Sequence, residues 1–167
     1  MLKKAVILAG GKGTRLKSIS KTIPKPMMPV AGKPLLEYQI ELCKKYGLEE
    51  VILIVNHLKD SIIDYFGNGE KWGIKVSYFE EPSPLGTVGG VKEIEDELTE
   101  DFLVLYGDVI MEMDLQRLYD FHRNNKSDVS LVVHPNDHPY DSDLVEVDAE
   151  DRVTHFPSPV FKKEFYI

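Results

Sequence analysis

The feature that most constrains this chain is an apolar run that breaks directly into glycine. Ala5-Val6-Ile7-Leu8 carries no polar residue and leads into Ala9-Gly10-Gly11-Lys12-Gly13-Thr14-Arg15-Leu16. A run without polar alternation reads as a strand buried on both faces, as in the interior of a parallel sheet. Gly10, Gly11 and Gly13 then give the backbone access to φ > 0 and to close approach of a ligand. A strand that breaks into such a loop aims several N–H groups one way and forms an anion nest. Lys12 and Arg15 add full positive charge to that nest. The ligand class it calls for is a polyphosphate.

The rest of the chain agrees with a small anionic ligand. A formal net charge of −8 leaves no broad basic surface for nucleic acid or an anionic membrane. With 167 residues, 43% of them apolar, the chain is long enough for one domain with its own core. Cys43 is the single cysteine, so no intramolecular disulfide can form, and the expected location is a reducing cytoplasm. Met1-Leu2-Lys3-Lys4 begins like a signal peptide, but Gly10 and Gly11 cut the apolar run short. No stretch approaches the roughly 20 apolar residues of a membrane span.

Along the chain, strand and helix patterns alternate. Ser18 to Thr22 is polar and reads as loop. Pro24, Pro26 and Pro29 exclude a regular helix or central strand and stiffen the backbone around Lys25. From Pro34 to Tyr46, Leu36, Ile40 and Cys43 follow helical spacing, and Gly47 stops the helix. Val51 to Val55 reads as a second buried strand, Asp60 to Phe66 as a short helix, and Ile74 to Phe79 as a half-exposed strand. Glu80 to Thr87 is a proline-stiffened loop. Gly89 to Leu98 and Leu115 to His122 read as helices, Phe102 to Tyr106 and Val129 to Val133 as strands. A hairpin is expected around Asp148 to Asp151. Alternation of this kind implies right-handed crossovers and an α/β fold of three layers, α/β/α, with a mainly parallel, Rossmann-like sheet.

Two familiar phosphate loops are excluded. Leu16 stands where the third glycine of a dinucleotide fingerprint belongs, and no Gly-Lys-Ser/Thr closes a Walker A loop. A plain glycine turn would leave Lys12 and Arg15 without a purpose. Asp108 ends the Phe102 to Tyr106 strand, where open α/β sheets place their ligands. Its bland alternative is a cap for the following turn. His134, His138, Asp141 and Asp143 include metal-ligand types but complete no set, and a polar loop explains them. Cys43, Trp72 and Tyr78 read as packing residues.

Gly10-Gly11-Lys12-Gly13-Thr14-Arg15-Leu16, followed by Pro24-Lys25-Pro26-Met27, resembles the signature of the sugar-1-phosphate nucleotidyltransferases, or nucleotide-sugar pyrophosphorylases. Pro84-Leu85-Gly86-Thr87-Val88-Gly89, Tyr106-Gly107-Asp108 and the Pro29 to Leu35 turn agree with it, so the resemblance covers nearly the whole chain. It implies the nucleotide-diphospho-sugar transferase type of fold. It also implies transfer of a nucleoside monophosphate from a nucleoside triphosphate to a sugar 1-phosphate, with Mg²⁺ and release of pyrophosphate.

By the same resemblance, Arg15 and Lys25 are the catalytic residues. Arg15 suits the leaving phosphates, because a guanidinium binds two oxygens at once. Lys25, held between prolines, can place a point charge at the α-phosphate. Leu8, Ala9, Gly10, Gly11, Lys12, Gly13 and Thr14 hold the nucleotide; Glu81, Pro84, Gly86 and Thr87 belong to the segment that faces the base. Asp108 binds the metal, since Mg²⁺ takes a few carboxylates plus phosphate oxygens.

Gly86-Thr87-Val88-Gly89-Gly90 is similar to members that use guanosine or uridine nucleotides. The Val133 to Asp143 stretch is similar to those making GDP-mannose or GDP-heptose-type products. The resemblance allows a homo-oligomer.

The departures from the pattern fall late in the chain. No second metal-binding aspartate can be placed, and His155 to Pro159 lacks the lysine that meets the sugar phosphate. Residues 1–167 are therefore expected to form a single nucleotidyltransferase domain that is incomplete at its C-terminal side. Two alternatives follow: a non-catalytic nucleotide-binding module, and a glycosyltransferase. The latter would require paired acidic residues after the fourth strand and would leave Arg15 and Lys25 unexplained.

Overall fold

The computed structural model describes residues 1–11, 23–83, 85–135 and 144–156. Its centre is β1 (Lys4–Leu8), in which Ala5, Val6 and Ile7 have no exposed surface. A strand that apolar on both faces must have neighbours on both edges and layers above and below, and β1 has them. A short hairpin follows, β2 (Pro29–Val30) with β3 (Lys33–Pro34), running into α1 (Leu35–Lys45). Then come β4 (Glu50–Val55), α2 (Lys59–Phe66), β5 (Lys75–Glu80), α3 (Gly89–Glu93), β6 (Phe102–Tyr106) and α4 (Leu115–Asn125).

Four of these strands form one parallel sheet in the order β5-β4-β1-β6. Its residues alternate between two cores. Ala5, Ile7, Val51, Leu53 and Val55 meet α1 and α2 on one face. Val6, Ile52 and Ile54 meet Ile94, with Val91 and Leu98, on the other. The three-layer expectation is thus observed.

Most predicted elements fall within a residue or two of the observed ones, and three differences have physical causes. The helix expected from Gly89 to Leu98 ends at Glu93, and a 3₁₀ turn covers Glu95–Glu97. Consecutive acidic residues oppose the negative carboxyl end of a helix, so a longer α-helix is disfavoured there. The helix expected from Leu115 to His122 runs on to Asn125, with Asp114 capping it by accepting the Arg117 N–H at 3.0 Å. Val129 to Val133 is not a strand. Its backbone has no ladder partner among the described residues, and Val129 and Val132 are 74% and 61% exposed. An apolar run supplies the side chains of a strand, but the ladder needs a neighbour. The hairpin around Asp148 to Asp151 is present as β7 (Glu146–Val147) and β8 (Val153–His155).

Candidate functional site

Because β1, β4, β5 and β6 are parallel, their carboxyl ends open on one edge, and Gly10, Glu81 and Asp108, among the described residues, follow directly on those ends. The Ala9 N–H donates to the Ile54 carbonyl at 2.8 Å, so the chain follows β4 for one residue beyond β1. Gly10 then lies against the end of β5. A Cβ built on it would stand 3.1 Å from Glu81 Oε2 and 3.3 Å from Asn56 Cβ. Gly90, opening α3, closes the other side: its Cβ would stand 3.1 Å from Glu81 Oε1 and 2.8 Å from Ile54 Cγ2. The Glu81 carboxylate therefore sits between two glycines that come from separate loops. Burial pushes the Glu81 carboxyl above its ordinary value; the Leu85 backbone N–H and the Asn56 amide pull it part of the way back. Asn56 also donates to the Glu81 carbonyl at 3.2 Å. Gly86, at φ +80, lies in the turn that leads into α3.

The exit of β6 packs on the exit of β1. The Gly107 N–H donates to the Leu8 carbonyl at 2.9 Å, and a Cβ on Gly107 would stand only 2.8 Å from that oxygen. Glycine is what allows the Tyr106-Gly107-Asp108 turn to lie flat on the β1 loop. There Asp108 Oδ2 accepts a hydrogen bond from Lys25 Nζ at 2.6 Å. Each side chain keeps about a third of its surface in solvent, 36% for Lys25 and 37% for Asp108. Lys25 opens a 3₁₀ turn, Lys25–Met27, in which Pro26 is buried and Met27 packs on the core. The prolines act as expected: they fix the backbone that presents the lysine.

Asp108 is not a helix cap, because that role belongs to Asp114. Among the described residues no group of three or more His, Cys, Asp or Glu could hold a metal ion, so Asp108 belongs to no such set there. Lys12, Gly13, Thr14, Arg15 and Pro84 lie outside the described residues, as do His138, Asp141 and Asp143. Gly11 is described, and no described residue comes within 4 Å of where its Cβ would stand. Cys43 is fully buried, and burial pushes its thiol up to about 12, which leaves it inert. Trp72 packs on Phe66 and Tyr65, and the Tyr78 hydroxyl donates to the Gly67 carbonyl; both are packing residues.

Gln39 belongs to none of the sequence motifs. It lies on α1 among Leu36, Ile40 and Cys43 and is 1% exposed. Its Nε2 donates to the carbonyls of Tyr106 and Val109, each at 2.5 Å. The available signal was a glutamine on the apolar stripe of an amphipathic helix, a position where packing alone asks for a hydrocarbon.

A family model described as nucleotidyl transferase matches residues 4–157. The chain belongs to the nucleotidyl transferase family. Among relatives of this nucleotidyl transferase, a D-glycero-alpha-D-manno-heptose 1-phosphate guanylyltransferase of Campylobacter jejuni is 42% identical over 161 residues, covering 96% of this chain and 71% of its own. A mannose-1-phosphate guanylyltransferase of Mycobacterium tuberculosis is 39% identical over 91% of this chain and 43% of its own. The chain thus spans less than half of that second relative. A solved structure of HddC from Yersinia pseudotuberculosis, complexed with GMP-PN, superposes with a TM-score of 0.72 at 31% identity, over 92% of this chain and 68% of that one. A Bacillus anthracis structure described as a putative glucose-1-phosphate thymidylyltransferase has a TM-score of 0.80 at 24% identity and supports the fold. No helix among the described residues is long and apolar enough to cross a membrane.

Proposed function

We propose that this chain binds a nucleoside triphosphate across the carboxyl ends of β1, β4, β5 and β6 and transfers its nucleoside monophosphate to a sugar 1-phosphate. The observation that carries the reading is the Lys25–Asp108 contact at 2.6 Å. Two residues 83 positions apart, one suited to phosphate and one to a divalent cation, meet beside the glycine loop that opens the fold.

In the transfer, a phosphate oxygen of the sugar 1-phosphate attacks the α-phosphorus in line. A P–O bond forms to that oxygen, the bond to the β-phosphate breaks, and pyrophosphate leaves with the electron pair. The protein's contribution is positioning and neutralisation of charge. Lys25 releases Asp108 and turns its ammonium to the α-phosphate. A partly exposed ion pair is worth about 0–1 kcal/mol, so this exchange is cheap. Backbone N–H groups of Gly10 to Thr14, with Arg15, hold the leaving phosphates.

The donor set fits Mg²⁺, which keeps most of its waters and takes one or two carboxylates with phosphate oxygens. Asp108 is a partly exposed carboxylate next to the phosphate loop and would hold it. When bound, Mg²⁺ neutralises phosphate charge.

Glu81 supports guanosine as the base. An ionised carboxylate only accepts hydrogen bonds. Guanine offers two adjacent N–H donors on one edge, while uracil and thymine offer a single N–H between two carbonyls. Relatives named as mannose- and heptose-1-phosphate guanylyltransferases favour those sugar phosphates as acceptors.

The test is pyrophosphate release from GTP and Mg²⁺ with mannose or heptose 1-phosphate. Release that requires the sugar phosphate is the expected result. A rise in melting temperature with GTP but no release with any sugar phosphate would favour the second reading, a non-catalytic nucleotide-binding module. That reading draws on the 43% span of the Mycobacterium relative.

A further inference from the structure

We propose that Gln39 is a positioning residue: from α1 it clamps both ends of the turn that carries Asp108, and so sets where the metal-binding carboxylate stands. The proposal rests on the reading of Asp108 as a metal ligand. Gln39 is the buried polar side chain among the described residues. Its amide nitrogen spends both hydrogens on one turn, donating to the carbonyl of Tyr106 and to that of Val109, each at 2.5 Å. Asp108 lies between those two residues. The turn's own closure is weak, since the Val109 N–H reaches the Tyr106 carbonyl at 3.3 Å. The other tie is the Gly107 N–H on the Leu8 carbonyl, which fixes the turn to β1 without setting its width.

The cost of this arrangement argues that it serves something beyond packing. Gln39 Oε1 is buried with no hydrogen-bond partner among the described residues. An orphaned buried acceptor is a net cost to the fold, which a leucine or methionine of similar volume would avoid. Flipping the amide offers no escape, because it would set Oε1 against two carbonyl oxygens. Through α1 the same helix also reaches the other half of the site: the Leu35 N–H donates to the Met28 carbonyl at 3.0 Å, just past the turn that presents Lys25. Groups that act on transferring phosphates must be held to within about 0.5 Å, and a two-point clamp on the carbonyls flanking Asp108 supplies that restraint.

The test compares Gln39→Leu, Gln39→Glu and Asp108→Asn with the wild-type chain. Mn²⁺ binding to protein loaded with a non-hydrolysable GTP analogue is followed by loss of the free-ion EPR signal. Both Gln39 variants are expected to raise the half-saturating Mn²⁺ by about tenfold, a loss of roughly 1.4 kcal/mol. Metal-free affinity for the analogue should stay within about twofold of wild type. Excess metal should restore binding, which a general packing defect would not allow. Asp108→Asn shifted with both Gln39 variants unshifted overturns the clamp and leaves the metal site standing. Asp108→Asn unshifted overturns the metal reading and the clamp together. Should the variants fail to fold, the wild-type protein decides: two slowly exchanging Gln39 side-chain amide protons are expected in ¹⁵N spectra, and fast exchange overturns the proposal.

Discussion

Lys25 and Asp108 satisfy each other in the ligand-free chain, and that pairing makes Lys25 easy to test. Removing the ammonium frees Asp108 without opening a cavity, since both side chains are partly exposed. Lys25→Ala is therefore expected to keep its melting temperature within a few degrees of wild type while turnover falls by about 10²–10³, the loss typical of one electrostatic donor at a reacting centre. Unchanged pyrophosphate release would remove Lys25 from the mechanism. Glu81→Gln tests the base. A glutamine presents one donor and one acceptor, so competition between GTP and UTP should shift toward UTP by about tenfold, roughly one hydrogen bond to a charged group. An unchanged ratio would take Glu81 off the base edge. These residues differ in how far the sequence showed them. Lys25 and Asp108 stand in short motifs whose chemistry is visible locally. That two glycines from different loops would enclose Glu81, or that Gln39 would grip the Asp108 turn, depends on contacts across the sheet that no local pattern carries.

At the level of elements, the legible parts were those whose signal is intrinsic to the segment. β1 from Ala5, β4 from Val51 and β6 are unbroken apolar runs, and α1 repeats its apolar residues at helical spacing. Val129 to Val133 carries the same signal as β6 and forms no strand, because pairing is a property of two segments. The junctions between elements were legible as glycine but not as geometry. Gly107 and Gly11 look alike in sequence and differ in the fold. A Cβ on Gly107 would meet the Leu8 backbone oxygen at 2.8 Å, while no described residue lies within 4 Å of one on Gly11. Gly107→Ala must push the Asp108 turn off β1, and about 1–3 kcal/mol of stability should be lost in urea unfolding, together with turnover. Gly11→Ala should unfold like wild type. If Gly11 lies against the phosphates, its added methyl should instead weaken GTP binding. Equal stability losses in the two variants would contradict the packing described for β1 and β6.

Across the whole molecule, the two ends of the sheet carry glutamates whose protonation acts in opposite directions. At the amino end, strand register sets Lys4, Glu50 and Lys75 side by side on β1, β4 and β5. Glu50 lies 3.2 Å from Lys4 and 2.7 Å from Lys75. Burial pushes its carboxyl up, but hydrogen bonds from Lys75 and Lys4 outweigh burial and hold it below the ordinary 4.5. At the carboxyl end no cation among the described residues offsets the burial of Glu81, and its carboxyl lies above 4.5.

The two signs then follow from linkage. A lowered carboxyl binds fewer protons folded than unfolded. Glu50 therefore stabilises the fold above pH 4.5, and that contribution is lost as pH falls through its lowered value. A raised carboxyl binds more protons when folded. Glu81 therefore carries no penalty below pH 4.5, and its penalty grows as pH rises through its raised value. Glu50→Gln should lower the melting temperature at neutral pH, with the gap to wild type closing below pH 4.5. Glu81→Gln should raise it at neutral pH, with its gap closing as pH falls toward 4.5. Melting curves of both variants between neutral pH and about pH 3 decide the matter. Opposite signs would mean that the chain gains stability at the amino end of its sheet and gives some up at the carboxyl end, where the nucleotide is proposed to bind. A shared sign would break that division.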